Sequence, residues 1–158
     1  MSIKELQAVL GEHVRAETAH ELEATLATLH PECLFEDYAA GQTFHGRDGA
    51  ARHYTQWWNA FDLLFSRGEH GSGRWVADGS YVAEGEFSGT HVGALAGLAP
   101  TGRKLRFRFC VFVSFRDGLL ASERFYYDLA TVAEQLAVDT GALRAAFAAA
   151  QSQGTAAP

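Results

Sequence analysis

The hexapeptide Glu123-Arg-Phe-Tyr-Tyr-Asp128 concentrates acid, phenol and guanidinium groups in six consecutive positions. Side chains alternate faces in a strand, so Arg124, Tyr126 and Asp128 share one side while Glu123, Phe125 and Tyr127 share the other. If the face carrying Arg124, Tyr126 and Asp128 lines a cavity, it can hold a polar ligand and move a proton; if it meets water, it is ordinary solvated surface. Asp128 has a second reading of its own. It stands just before a helical pattern, where it would cap backbone N–H groups and stay strongly acidic, whereas a general base working near neutrality needs burial to raise its pKa. Arg124 can bind substrate, or it can pair across strands with Glu84 or Glu86. Tyr126 offers an apolar body and a hydroxyl to an aromatic ligand.

Other candidates lie earlier in the chain. His91 follows Gly89-Thr90 at a strand end and reads either as a catalytic partner or as a loop histidine. His53 and Trp57 stand one helical turn apart and share a side, whereas Trp57 and Trp58 point about 100° apart. One tryptophan is therefore expected on the sheet and the other at a pocket mouth or a dimer contact. Asp37 ends a short strand and either lines the cavity or meets solvent. His45-Gly-Arg47-Asp48 reads as a turn leading to a helix N-cap at Asp48.

The elements that must position these groups begin with helices. Ser2 and Glu5 form a capping box, and Leu6, Val9, Leu10, His13 and Val14 recur at helical spacing. A second helix is expected from Glu17 to Leu29, ended by Pro31, and a third from Asp48 to Phe61. Cys33–Tyr38 reads as a short strand, and Gly41 to Gly49 as a loop. Three strands follow, over Glu69–Asp78, Tyr81–His91 and Lys104–Arg116, and Arg116-Asp-Gly118 turns into a last strand, Leu119–Tyr127. Thr131 and Glu134 suggest a capping box for a terminal helix. This order predicts an α+β domain in which three N-terminal helices cover one face of a strongly curved antiparallel sheet of about four to six strands, with a helix at the C-terminus. A pocket is expected in the concave face.

The chain has 158 residues, 47% hydrophobic and 20% charged, which suits one globular domain over residues 1–150 with a disordered tail over 151–158. The N-terminus lacks the apolar run of a signal peptide, and no stretch approaches the roughly 20 residues of a membrane span, so a cytoplasmic protein without a membrane partner is expected. A net charge of -6 argues against a nucleic-acid partner. Cys33 and Cys110 sit among apolar strand residues, where a thiolate is disfavoured. The histidines are dispersed, and there is no phosphate loop, dinucleotide fingerprint, Gly-x-Ser-x-Gly or His-Glu-x-x-His, so neither metal nor organic cofactor is expected. Alternation along Leu105, Phe107, Phe109, Val111, Val113 and Phe115 gives one core face. The opposite side, with Cys110 and Phe112 central, is apolar enough to seek a second copy, predicting a homodimer paired sheet to sheet.

Several pieces in order, Gly89-Thr-His91, Gly97-Leu-Ala-Pro-Thr-Gly-Arg103, Arg116-Asp-Gly118, Glu123-Arg124, Tyr126, Asp128 and Gln135-Leu136, resemble the SnoaL-like polyketide cyclase or ester cyclase family, within the superfamily of nuclear transport factor two. The resemblance runs from about Ala19 to Leu136. It departs at Ala137, where the family commonly has glycine, and at Ser122, where a further glutamate is common. It implies a cone-shaped, cofactor-free and usually dimeric domain with a small-molecule pocket. It also implies intramolecular aldol closure of a polyketide ester, with an aspartate near the end of the last strands as acid/base. Transferred to this chain, that role falls to Asp128, with His91 and Tyr126 or a water steadying the enolate oxygen of a mostly apolar carbonyl substrate. A non-catalytic lipid or polyketide binder, and a hydrolase or isomerase on the same scaffold, are the alternatives.

Overall fold

A computed structural model of the chain describes residues 2–62, 64–66 and 72–154. Helix α1 (Ile3–Thr18) opens on the expected capping box, with Ser2 and Glu5 bonding reciprocally. Helix α2 (Leu22–Ala27) is shorter than its pattern, because β1 (Leu29–Asp37) starts before Pro31 and carries that proline at an irregularity in its pairing, where no ladder donor is needed. The segment expected to be a loop contains β2 (Gln42–His45), whose Phe44 pairs with Phe35 and is buried. Helix α3 (Gly46–Ala60) follows with His45 at its N-cap position, so Asp48 falls in the first turn instead of capping it.

The remaining strands are β3 (Leu64–Ser66), β4 (Gly73–Trp75), β5 (Tyr81–Thr90), β6 (Lys104–Arg116) and β7 (Leu119–Tyr127). The beginning of the strand expected from Glu69 lies outside the described residues. Asp117 and Gly118 both have positive φ, the conformation a tight two-residue turn between right-twisted strands requires, and they join β6 to β7 as the sequence predicts. The seven strands form one sheet in the order β2-β1-β7-β6-β5-β3, with β4 on the same edge of β5 as β3. One pairing departs from the antiparallel expectation: β1 runs parallel to β7. The sheet also has seven strands where about four to six are expected, and the curved α+β architecture otherwise stands.

Period-two alternation sorts the sheet into two faces. Leu105, Phe107, Phe109 and Val113 of β6 are buried while Arg106 and Arg108 are exposed. Gly85 of β5 permits close approach on the inner side, since a Cβ there would lie 2.7 Å from the Phe109 ring and 2.8 Å from Phe65. The single terminal helix of the sequence reading divides into α4 (Leu129–Leu136) and α5 (Thr140–Gly154) at Ala137, whose left-handed backbone ends α4. The N-cap of α4 is Asp128, and Thr131 lies within the helix as its partner, so no capping box forms there. Helix α5 continues past residue 150: Gln151 bonds both backbone groups of Thr43, which orders part of the expected tail, while residues 155–158 lie outside the described ones. Among the described residues no helix is long and apolar enough to cross a membrane.

Candidate functional site

Strand β1 buries Cys33, Phe35 and Asp37 in alternation, so the same periodicity that seats two core residues carries a carboxylate into the interior, where it is 2% exposed. Parallel pairing sets Asp37 opposite Phe125 of β7 and within reach of the next inward residue, Tyr127. The Tyr127 hydroxyl donates to Asp37 Oδ2 at 2.9 Å, and the backbone N–H of Ala40 donates to Oδ1 at 2.9 Å. Burial pushes the Asp37 carboxyl up to about 6, although both hydrogen bonds favour its ionised form and oppose the rise. Tyr127 is itself pushed well above the usual phenol range by burial and by the neighbouring Asp37.

Helix α3 supplies the facing wall. His53 and Trp57 lie on one side as their spacing dictates, and Tyr54 and Trp58 on the adjoining side. All four line a narrow slot with Asp37, Tyr127 and phenylalanines of β5, β6 and β7. The cavity volume is about 40 Å³. Both tryptophans therefore reach the pocket, with Trp57 against Phe107 and Phe147 and Trp58 stacked on Tyr54 and His20. His53 is 6% exposed, stacks on Phe125 with ring centroids 4.9 Å apart, and leaves Nδ1 without a hydrogen-bond partner. Burial lowers its pKa to about 4 against a weaker opposing pull from Glu123, so the ring is neutral at physiological pH.

A second polar group stands farther along the cavity. His13 of α1 places Nε2 3.1 Å from Glu123 Oε1, 3.2 Å from the Tyr54 hydroxyl and 3.7 Å from Glu17 Oε2, while its Nδ1 meets Thr28 Oγ1 at 2.7 Å. Burial alone would lower the His13 pKa, but the Glu123 charge and hydrogen bond, helped by Glu17, outweigh it and raise the value. Burial and the Glu123 charge push Glu17 up to about 7, against the pull of His13.

The structure gathers Asp37, His53 and Trp57 at the slot and places the other expected residues elsewhere. Asp128 is exposed and caps α4, accepting from Ala130 N at 3.0 Å and Thr131 Oγ1 at 2.6 Å, and these bonds hold its carboxyl below the ordinary value. Arg124 and Tyr126 point to the outer side. Tyr126 stacks on Tyr38 at 4.8 Å, and the Arg124 guanidinium lies 5.4 Å over the Phe112 ring. Arg124 does not pair with Glu84 or Glu86, because β6 runs between β5 and β7; Glu86 pairs instead with Arg106 at 2.9 Å. His91 is buried but outside the slot, with Nδ1 bonded to Thr101 and its ring stacked on Phe61. Sequence reasoning missed Tyr127, Glu123, Tyr54 and Glu17. Two signals pointed to them: the face of β7 with Phe125 is the more apolar and so the inward one, and His13 and Glu17 continue the buried stripe of α1. Among the described residues no three His, Cys, Asp or Glu side chains gather closely enough to hold a metal ion.

The described fold has solved relatives. An NTF2-like protein from Burkholderia thailandensis has a TM-score of 0.67 at 18% identity, covering 84% of this chain and 96% of the other. A Xanthomonas campestris protein provisionally described as a polyketide cyclase has a TM-score of 0.73 at 18% identity, with 84% and 97% covered. A Catenulispora acidiphila protein with a ketosteroid isomerase-like fold, solved in complex with trimethylamine, has a TM-score of 0.68 at 16% identity, with 84% and 95% covered. These likenesses establish the fold. No curated protein matches the sequence. The family model of the SnoaL-like polyketide cyclases matches residues 8–136, most of the sheet and its covering helices, and the chain belongs to that family.

Proposed function

We propose that this protein is an acid/base enzyme acting on a mostly apolar small molecule with carbonyl groups, and that Asp37 is its proton acceptor. The observation that carries this reading is Asp37 itself: a buried carboxylate, oriented by Tyr127 and Ala40, raised to about 6, on the wall of a mostly aromatic slot. A carboxylate of that strength is ionised near neutrality and still basic enough to take a proton from carbon next to a carbonyl. The C–H electron pair then becomes the enolate double bond, and charge moves to oxygen. His53, neutral and lining the slot, is the donor we assign to that oxygen. Attack of the enolate carbon on a second carbonyl of the same folded molecule closes a ring, the aldol-type reaction in keeping with family membership.

The test uses α-tetralone in deuterium oxide and follows exchange next to its carbonyl. Asp37→Asn is expected to slow exchange by roughly 10² to 10⁴-fold, the usual worth of one general base, while Asp128→Asn leaves it unchanged. Exchange at the wild-type rate in Asp37→Asn would sink the assignment. The narrowness of the slot favours one alternative, a non-catalytic binder of a flat apolar ligand; saturable binding of α-tetralone without any exchange would favour it.

A further inference from the structure

Asp37 is not the only carboxyl on the wall of the slot. Glu17 of α1, 24% exposed, lines both this space and an adjoining cavity of about 60 Å³ beneath α1, and the two share Phe87, Phe109 and Phe125 as walls. Across these shared walls the two spaces make a chamber with Asp37 on the slot, Glu17 on both parts, and Glu84 and Glu123 on the adjoining part. Behind Glu17 the charged and titratable neighbours are His13 on its own helix, Glu123 of β7 and Tyr54 of α3, and Glu84 of β5 lines the adjoining cavity. The His13 ring, 3.7 Å away, favours the ionised form of Glu17. His53 lines the same slot as both carboxyls.

We propose that Glu17 is the second proton-transfer group of the chamber, the acid that protonates the carbonyl oxygen under attack while Asp37 takes the proton from carbon, so that the substrate class is an elongated dicarbonyl. This rests on the assignment of Asp37 above. In the step, the C–H bond breaks to Asp37 and the freed electron pair forms the new C–C bond. The electrons of the attacked C=O move to its oxygen, which takes the proton of Glu17. Asp37 ends protonated and Glu17 ionised, and the two return to their starting states by exchange with water. No oxidant or reductant enters. Burial and the Glu123 charge raise the Glu17 carboxyl to about 7 against the pull of His13, above the Asp37 carboxyl at about 6, which is the order the step requires.

The experiment follows ring closure of an aryl 1,5-diketone against pH, with α-tetralone exchange as the separate measure of Asp37. Wild-type closure is expected to rise through about pH 6 and fall above about pH 7. Glu17→Gln, which keeps the shape but cannot titrate, is expected to lower closure by roughly 10²-fold and to remove the alkaline limb, and Glu17→Asp to restore the limb. A limb that survives in Glu17→Gln belongs to His13 or Tyr54 and overturns the role of Glu17 even if exchange still depends on Asp37. Absence of exchange in the wild type overturns both assignments together.

Discussion

The two faces of β7 carry nearly the same chemistry in opposite surroundings. Glu123, Phe125 and Tyr127 point inward, and Arg124, Tyr126 and Asp128 point outward, so each side has a carboxylate and a phenol. On the inside, Tyr127 binds Asp37, whose carboxyl rises to about 6; on the outside, Asp128 binds Thr131 and a backbone N–H and becomes more acidic than usual. Hydrogen bonds act in the same direction on both aspartates. What separates them is desolvation, which is first among the influences on Asp37 and only a minor opposing one on Asp128. A row of polar residues thus becomes a proton-transfer candidate only where apolar neighbours remove its water.

The largest difference between the faces is expected in stability. Phe125 packs on Phe35 and His53 and is almost fully buried, so Phe125→Ala should cost about 3–5 kcal/mol in chemical denaturation. Tyr126, 40% exposed, stacks on Tyr38 and meets Phe112 edge-on, so Tyr126→Ala should cost about 1 kcal/mol or less. Equal costs would mean that the outer aromatics are as tightly held as the core.

Association comes next. Tyr38, Phe112 and Tyr126 make an aromatic patch on the outer face, beside Arg124, and sheet-to-sheet pairing of two copies is the arrangement we propose for it. Phe112→Asp should then weaken dimerisation by on the order of 10²-fold, read by sedimentation over a concentration series, because it sets like charges face to face across the symmetry axis. A wild-type mass that stays monomeric at every concentration would remove the interface.

Asp37 offers a test of the desolvation argument that needs no substrate. Its folded-state pKa, about 6, stands above the ordinary 3.8 of an unfolded aspartate. A carboxyl raised in this way contributes stability that is complete below pH 3.8 and is lost as pH rises through 6. Asparagine has no proton to lose, so Asp37→Asn should gain on the wild type by on the order of 2–3 kcal/mol between pH 4 and pH 8. Asp128→Asn, at a depressed and exposed carboxyl, should show no such gain. A pH-independent difference for Asp37→Asn would mean that the group is not desolvated.

These residues also show where the sequence was legible. Alternation along β6 and β7 sorted the two faces correctly, and Asp-Gly at the turn and Ser2 with Glu5 were read from local chemistry alone. The face carrying Arg124, Tyr126 and Asp128 meets solvent, and the apolar Phe125 marks the inside. Strand order was hidden as well. The parallel contact of β1 with β7 is set by packing between segments almost ninety residues apart, and without it neither the Asp37–Tyr127 bond nor the intervening β6 that keeps Arg124 from Glu86 could be foreseen. Ala137 was noticed as an oddity of sequence, and its geometry gives the oddity a cause.

The smallest expected effect concerns that residue and the two ends of α4. At one end Asp128 supplies a good N-cap; at the other Ala137 adopts φ 56° and ψ 42°, a left-handed conformation in which a Cβ crowds the backbone. Holding alanine there costs about 1–2 kcal/mol, and glycine avoids that cost while adding roughly 0.5–1 kcal/mol of freedom to the unfolded chain. The difference leaves Ala137→Gly more stable by about 0.5–1 kcal/mol, a rise of about 1–4 °C in melting temperature for a chain of this size. Ala137 is exposed, so its methyl has little packing to lose. Asp128→Ala at the opposite end should lower the melting temperature while leaving deuterium exchange on α-tetralone untouched. If Ala137→Gly were neutral or destabilising, the left-handed turn would not be a strained end of α4. If Asp128→Ala slowed exchange, the outer face of β7 would be catalytic after all.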